Sequence, residues 1–569
     1  MSPTRRDTAA DTEFTSYVAA SGTRLTRVAY LLTRDHHLAE NLTQESLARP
    51  VLPVDRDVRG VPEAQVPPRT SQSTREGGAR VELLRMGRRT RVRALAAAVA
   101  IVGAGLAVAP AQAGSAKVGF RKPVFVDSQL AGSEGFVMAV PQSHRLIYAT
   151  HEGTTLLLRG GLSGAPMGDA DYGSTYRNQV NMWSSDDSGK TWQRINWNGA
   201  GFFTGPDHNL GFSDPDLTSD GAGNLYVTGI DLANDALVSS SDGGKTWPTG
   251  TVQCHEGDRP WLAGGKGKEV FLADNSEQYG HIIVRSTDGG ATCSSTHATG
   301  VGNNFTGYGK MVYDASTDTI YEAATNGNST IGVIALRGAT KRFDSGTPGT
   351  VEGHLAYTGT SFNTFWKAQI AQGLDHTLYM TWTTDDRKPG TSGGCSGAQT
   401  PVANSVMLTS SHDGGRTWSK PTVVAHPGVT VLWPWVIAGA KGRVAVAWYQ
   451  YDRVTDLDCA PDAAKMGVRL AMLTGADGRR PAITTVDPLG RPMHYGQVCT
   501  SGTACVATGN DRRLGEFFTL APDRNGCVMI ATGDTTKVDP VTGSQLPTAR
   551  PLFTVQNAGT GLYGRPCRS

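Results

Sequence analysis

Carboxylates and cations stand at or beside the starts of a recurring apolar run in this chain. Glu134, Asp214, Asp216, Asp258, Arg259, Lys310, Lys367, Arg512, Arg513 and Glu516 all occupy such positions. Opposite charges brought together shift one another's pKa and can hydrogen-bond a polar ligand, so convergence of these starts would make a site for a sugar or another hydroxyl-rich molecule. Kept apart, the same residues would pair with neighbours or cap strand ends. Arg259, in Glu256-Gly257-Asp258-Arg259-Pro260-Trp261, sets a guanidinium beside an indole, a pairing suited to carboxylate or sugar recognition. Tyr308, close to Lys310, has the chemistry of a nucleophile, with a buried hydrogen-bonded tyrosine as the alternative. His151-Glu152 has the types of an acid/base pair, and a solvated loop pair is its alternative.

The elements that must position these groups are short hairpins. Seven can be counted: 135–140 with 146–150, 214–217 with 224–228, 259–262 with 269–272, 310–313 with 319–322, 365–368 with 377–380, 433–436 with 443–446, and 516–519 with 527–530. Each is apolar or alternating, with Gly, Asp, Asn or Ser at the turn. Repetition of this kind predicts an all-β fold, a β-propeller whose innermost strands enter from one rim of a central channel. Seven hairpins imply seven blades, or six if the first hairpin completes the last blade. Gly supplies 70 of the 569 residues, against a usual ~7 per cent, as many tight turns require. A formal charge of +2 gives no global field for nucleic acid, which is not expected as a partner.

A stricter octet recurs four times: 185–192 (SDDSGKTW), 240–247 (SSDGGKTW), 286–293 (STDGGATC) and 411–418 (SHDGGRTW). Asp187, Asp242, Asp288 and Asp413 can accept hydrogen bonds across a turn, and the glycine two residues on can take a positive φ. The terminal Trp can bury its ring between sheets. The octet resembles the Asp-box, or bacterial neuraminidase repeat, of the sialidase superfamily. That resemblance implies scaffold turns on the face away from the active site. It also implies an arginine trio for a substrate carboxylate, an acid/base Asp, and a Tyr nucleophile supported by Glu. Carried onto this chain, the catalytic candidates are Arg259, Tyr308, Asp258 and Glu516. Arg177, Arg285, Arg512 and Arg513 are further arginines for the substrate, with Trp261, Lys310, Lys367, Asp214, Asp216 and Glu134 lining the funnel. The family's aromatic-Arg-Ile-Pro tetrad is absent; its nearest text is Tyr176-Arg177-Asn178-Gln179. Three classes of function follow: an exo-sialidase type of glycoside hydrolase, a non-catalytic propeller that binds glycans or proteins at the cell surface, and transcription control through the front of the chain. No cofactor is expected.

That front has its own organisation. Residues 1–50 carry apolar positions at helical spacing, and 31–49 resemble the start of region 2 of an extracytoplasmic-function sigma factor. Residues 51–85, rich in proline and charge, read as a linker. Residues 86–116 run from basic (86–93) through an uncharged apolar stretch to the small-x-small site Ala111-Gln112-Ala113. This is the order of a secretory signal, or of a membrane anchor through 94–113 if it is not cleaved. Met86 could also be the true start. Either way the domain 117–569 is expected outside the cell, secreted or anchored, and monomeric. All eight cysteines (Cys254, Cys293, Cys395, Cys459, Cys499, Cys505, Cys527, Cys567) follow that segment, which predicts four disulfides. Proximity in sequence suggests Cys254 with Cys293 and Cys499 with Cys505. With no CxxC pair, no metal site is expected.

Overall fold

The structure, a computed structural model, describes residues 117–568 apart from 152–179, 196–212, 231–234, 256, 277–278, 302–304, 327–329, 360–367, 385–402, 501–504, 506–509, 542, 544 and 547. The expectations placed on residues 1–116 lie outside the described residues. Among the described residues no helix is long and apolar enough to cross a membrane.

The described chain is mostly β-strand and, one strand pair apart, antiparallel, organised as four-stranded meanders. The first meander takes strands Ser133–Ala139, Leu146–His151, Asn181–Ser185 and Gln193–Arg194 in that order. The second begins at Ser213–Ser219, the third at Asp258–Gly264, the fourth at Gly307–Asp314, the fifth at Gln369–Gln372, the sixth at Val431–Ala438 and the seventh at Thr519–Pro522. The seventh has three consecutive strands, and its fourth place is filled from the other end of the chain. Gly119–Phe120 and Val124–Phe125 both pair with Arg550–Ala558. The first hairpin therefore keeps its own meander. The third and fourth meanders fuse into one eight-stranded sheet through parallel pairing of Ala298–Val301 with Thr350–Thr358.

Each first strand packs against the first strand of the next meander, and the seventh returns to the first, which closes a ring. Side chains stitch the seams. Thr519 Oγ1 donates to the Gly135 carbonyl (2.6 Å), and the Tyr148 hydroxyl donates to that of Leu552 (3.0 Å). Phe136, Trp261, Trp435 and Phe517, from the first, third, sixth and seventh meanders, meet with centroids 5.6 to 6.3 Å apart. Aromatic contacts between non-adjacent first strands can occur only across the middle of the ring, so these rings fill it.

Two of the three inter-strand turns of a meander, first to second and third to fourth, fall at one end of the ring. The four octets occupy third-to-fourth turns of the first, second, third and fifth meanders. In each, Ser donates to Asp and accepts from the glycine N–H, while Asp accepts from the Thr hydroxyl and N–H. For Asp187 these bonds are Thr191 Oγ1 at 2.6 Å and Thr191 N at 2.9 Å, and Asp413 repeats them with Thr417 at 2.6 and 2.9 Å. Gly189, at φ 79°, sits where a side chain would overlap the Phe553 ring of the seventh meander. Trp192 packs on that ring at 5.2 Å. In the fourth meander the corresponding turn is the short helix Ala339–Asp344. Disulfides join Cys254 to Cys293, Cys499 to Cys505 and Cys527 to Cys567. Cys459 is also disulfide-bonded, and Cys395 lies outside the described residues.

Candidate functional site

The opposite end of the ring, where the first strands begin, is the mouth. In five meanders the first strand starts with a bulge, seen as a register shift at Ser133/Phe136, Ser213/Asp216, Asp258/Trp261, Tyr308/Met311 and Leu432/Trp435. A bulge turns one extra residue out of the ladder and re-aims it. At four of these places that residue is left-handed without being glycine: Glu134 (φ 50°), Asp214 (φ 50°), Arg259 (φ 64°) and Trp433 (φ 49°). Such a conformation costs about 1–2 kcal/mol per residue and persists only where the surroundings enforce it. The same strain at the same register, in separate strands, delivers acid, acid and base to one rim.

There they meet the segment before the seventh meander. Arg512 pairs with the Glu516 carboxylate and donates to the Cys499 carbonyl at 3.3 Å. Arg259 lies 3.5 Å from Glu516 Oε2 and 3.8 Å from Asp258 Oδ2. Gly515 passes so close to Glu134 that any side chain there would collide with the carboxyl group. Burial, then the Asp214 charge, raises the Glu134 pKa well above the carboxylate range. Asp214 is raised by burial and then by Asp258, while Ser213 Oγ donates to it at 2.7 Å. Arg512 is brought down to about 10, chiefly by burial. The cluster thus offers a carboxyl group that tends to keep its proton, three further carboxyl groups as acceptors and two guanidinium donors. Proton donors and acceptors in one desolvated patch can order the hydroxyls of a polyol or move a proton to a leaving oxygen.

The floor of the mouth is structural. Asp216 is fully buried, accepts from the Leu262 N–H at 2.7 Å and pairs with Lys310, whose Nζ also donates to the Leu262 carbonyl at 2.9 Å. This bridge ties the second, third and fourth first strands together. Trp261, only 5% exposed, belongs to the aromatic plug beneath. His151 bonds Ser133 and is driven down to about 3 by burial and then by Arg512, so it is a neutral buried ring and not a solvated loop residue. Glu152 lies outside the described residues.

Several candidates are committed to other partners. The Tyr308 hydroxyl donates to the Phe305 carbonyl at 2.7 Å, and its ring stacks on His281 at 3.6 Å. Burial pushes its pKa up, which is the wrong direction for a nucleophile. Arg285 sits at the turn end of the third meander, paired with Glu269 at 2.5 Å and Asp344 at 2.6 Å, and cannot share a ligand with Arg259. Arg513 is 1% exposed; it clamps Asp511 at 2.6 Å and donates to the Leu546 carbonyl at 2.8 Å. Arg177 and Lys367 lie outside the described residues. Trp433 was not singled out by sequence, although Trp433-Pro434-Trp435 repeats Asp214-Pro215-Asp216 and Arg259-Pro260-Trp261. Among the described residues no group of His, Cys, Asp or Glu side chains is arranged to hold a metal ion.

No family model and no curated protein matches the chain. Solved structures are similar to it at low identity, sialidases and other glycosidases among them. A protein of unknown function from Dyadobacter fermentans aligns at 13% identity and TM-score 0.39, covering 77% of this chain and 98% of that one. The NanB sialidase of Streptococcus pneumoniae aligns at 13% identity and TM-score 0.34, covering 77% and 70%. A GH93 α-L-arabinofuranosidase of Fusarium graminearum aligns at 13% identity and TM-score 0.33, covering 77% and 97%.

Proposed function

We propose that the seven meanders are the blades of one exported β-propeller that engages glycans at its mouth. The closed ring of first strands and the filling of the last meander from residues 119–125 support the blade reading. Disulfides in the described domain support export. The observation that carries the ligand reading is the convergence of Glu134, Asp214, Asp258 and Glu516 with Arg259 and Arg512. Glu516 already lies between the two guanidinium groups, so a sugar carboxylate arriving there meets more acid than base. An uncharged saccharide, whose hydroxyls both donate and accept, matches the cluster better.

A second reading, exo-sialidase hydrolysis, draws on the approach of Arg259 and Arg512 to one place. Calorimetric titration with neutral and sialylated oligosaccharides, alongside turnover of fluorogenic glycosides, separates the two. The expected result is binding of a neutral glycan, weakened by Arg259→Lys, with no sialoside turned over. Sialoside turnover that disappears in Arg259→Lys would establish the second reading instead. Absence of binding across the whole panel would remove glycan recognition altogether.

A further inference from the structure

The turn end of the ring carries a second surface, unrelated to the mouth. Turns of the sixth and seventh meanders are sewn together there by backbone hydrogen bonds: Ala476 N to Gly442 O (2.9 Å), Ala440 N to Leu562 O (2.9 Å) and Leu562 N to Gly526 O (2.6 Å). On this continuous patch stand Lys441, Arg443, Arg479, Arg480, Arg524 and Arg565, all exposed except half-buried Arg443. None of them forms an ion pair among the described residues. Several arginines elsewhere on the surface are held by acids. Arg145 is held by Asp186 (2.7 Å), Arg337 by Glu352 (2.9 Å), Arg469 by Asp487 (2.7 Å) and Arg491 by Asp534 (2.6 Å). The turns that carry the patch also hold Asp477 and Asp523. Asp523 spends its Oδ1 on the Asn525 and Cys527 N–H groups at 2.8 Å. A net excess of solvated, unpaired cations remains.

We infer that this patch docks on a bilayer surface of anionic lipid headgroups. Six bases without an ion-pair partner among the described residues attract a dense negative surface, and the attraction adds base by base within a Debye length. The position of the patch selects a bilayer over a soluble polyanion. Gly119 pairs with Ala558, immediately before Gly559 of the patch turn, so the chain joins the ring at this same end. Upstream in sequence lies the uncharged stretch 94–116, whose apolar core ends at Val108. Residues 109–118 can span at most about 35 Å. A bilayer that met the apolar stretch would therefore face the patch, and the mouth would point away from it into solvent.

The test is partition of the full chain onto phosphatidylcholine vesicles with and without phosphatidylglycerol. The readout is the ratio between the two, which cancels any contribution of the apolar stretch common to both. The parent is compared with a variant carrying Lys441→Gln, Arg479→Gln, Arg480→Gln and Arg565→Gln. A control carries Lys190→Gln and Lys245→Gln, on turns of other meanders at the same end. The patch variant should lose about tenfold or more of the parental preference for phosphatidylglycerol, and raising the salt should shrink the parental preference toward that of the variant. The control should match the parent. Melting curves establish that each variant folds, and Arg479→Gln with Arg480→Gln alone serves if the fourfold variant does not. A patch variant that keeps the parental ratio overturns the inference. So does a variant that loses heparin binding while its lipid preference is unchanged, because the patch would then read an acidic polysaccharide.

Discussion

The four octet glycines occupy one motif position in four surroundings, so Gly→Ala at each separates backbone strain from contact. Their φ values are nearly equal: 79° at Gly189, 78° at Gly244, 86° at Gly290 and 79° at Gly415. A Cβ at such a φ costs about 1–2 kcal/mol in every case. The neighbours differ. An added Cβ at Gly290 would stand 3.4 Å from Tyr226 Cε1, an ordinary contact. At Gly415 it would stand 2.8 Å from Val333 Cγ1, and at Gly244 2.7 Å from Ile147 Cδ1, the mobile end of a side chain. At Gly189 it would overlap the Phe553 ring, which is 1% exposed and already packed against Trp192. Overpacking a buried contact adds about 1–3 kcal/mol. Gly290→Ala should therefore lose about 1–2 kcal/mol, Gly244→Ala and Gly415→Ala somewhat more, and Gly189→Ala the most, about 2–5 kcal/mol. Guanidinium unfolding of the four variants, read by tryptophan fluorescence, gives the differences directly. Four equal losses would mean that contact between meanders contributes nothing at these turns. Gly290→Ala as the worst of the four would refute the geometry itself.

Glu134→Gln should flatten the dependence of stability on pH. The folded pKa is raised above the unfolded one, so the parent loses stability as pH climbs from the ordinary carboxylate range toward the folded value, and the amide removes that loss; parallel melting-temperature profiles from pH 4 to 8 would contradict this. Asp413→Asn should act at the acid end. Although burial pushes that carboxyl up, bonds from the Thr417 hydroxyl and N–H bring it down to about 2, so its contribution is present above the unfolded value near ~4 and lost as pH falls toward 2; acid unfolding of the variant should show a shallower limb. Trp247→Ala, at a side chain 3% exposed in the turn end, should cost about 3–5 kcal/mol while leaving ligand binding at the mouth intact, which paired melting and titration experiments would check. Tyr308→Phe should leave any glycoside turnover unchanged, because its hydroxyl is spent on the Phe305 carbonyl; loss of turnover in a normally folded variant would restore it as a nucleophile.

Much of the scaffold could be read from residue order because inner strands are short, apolar and bounded by turn residues. The predicted run 224–228 overlaps the strand Leu225–Ile230, and 319–322 lies inside Thr319–Asn326. Charge near the strand starts was legible as well, and Glu134, Asp214, Asp258, Arg259, Arg512 and Glu516 lie together in the structure. What residue type could not convey was which end of a strand a cation occupies. Arg285 and Arg259 look alike in sequence, yet one closes a strand at the turn end and the other opens a strand at the mouth. Arg513 differs from its neighbour Arg512 only in that Asp511 and the Leu546 carbonyl lie within its reach, a fact of tertiary packing. The left-handed bulge was invisible too, although the repeated Pro immediately before the pairing resumes, at 215, 260 and 434, was its trace.

The strand pair that closes the ring also sets the order of folding. Six meanders are made of consecutive strands and can form from local chain as it becomes available. The seventh cannot, because Thr554 must donate to the carbonyl of Arg121 across a separation of 433 residues. Long-range pairing is slow, since the entropy of bringing distant segments together is lost before any contact rewards it. Until residues 119–125 arrive, Arg550–Ala558 presents an unpaired edge, and Val124 cannot pack against the cluster around Met529 and Phe553. The nearly finished ring is thus the species most open to proteolysis and to pairing with another copy. Refolding should show a late phase in which six meanders are already protected from hydrogen exchange and the seventh is not.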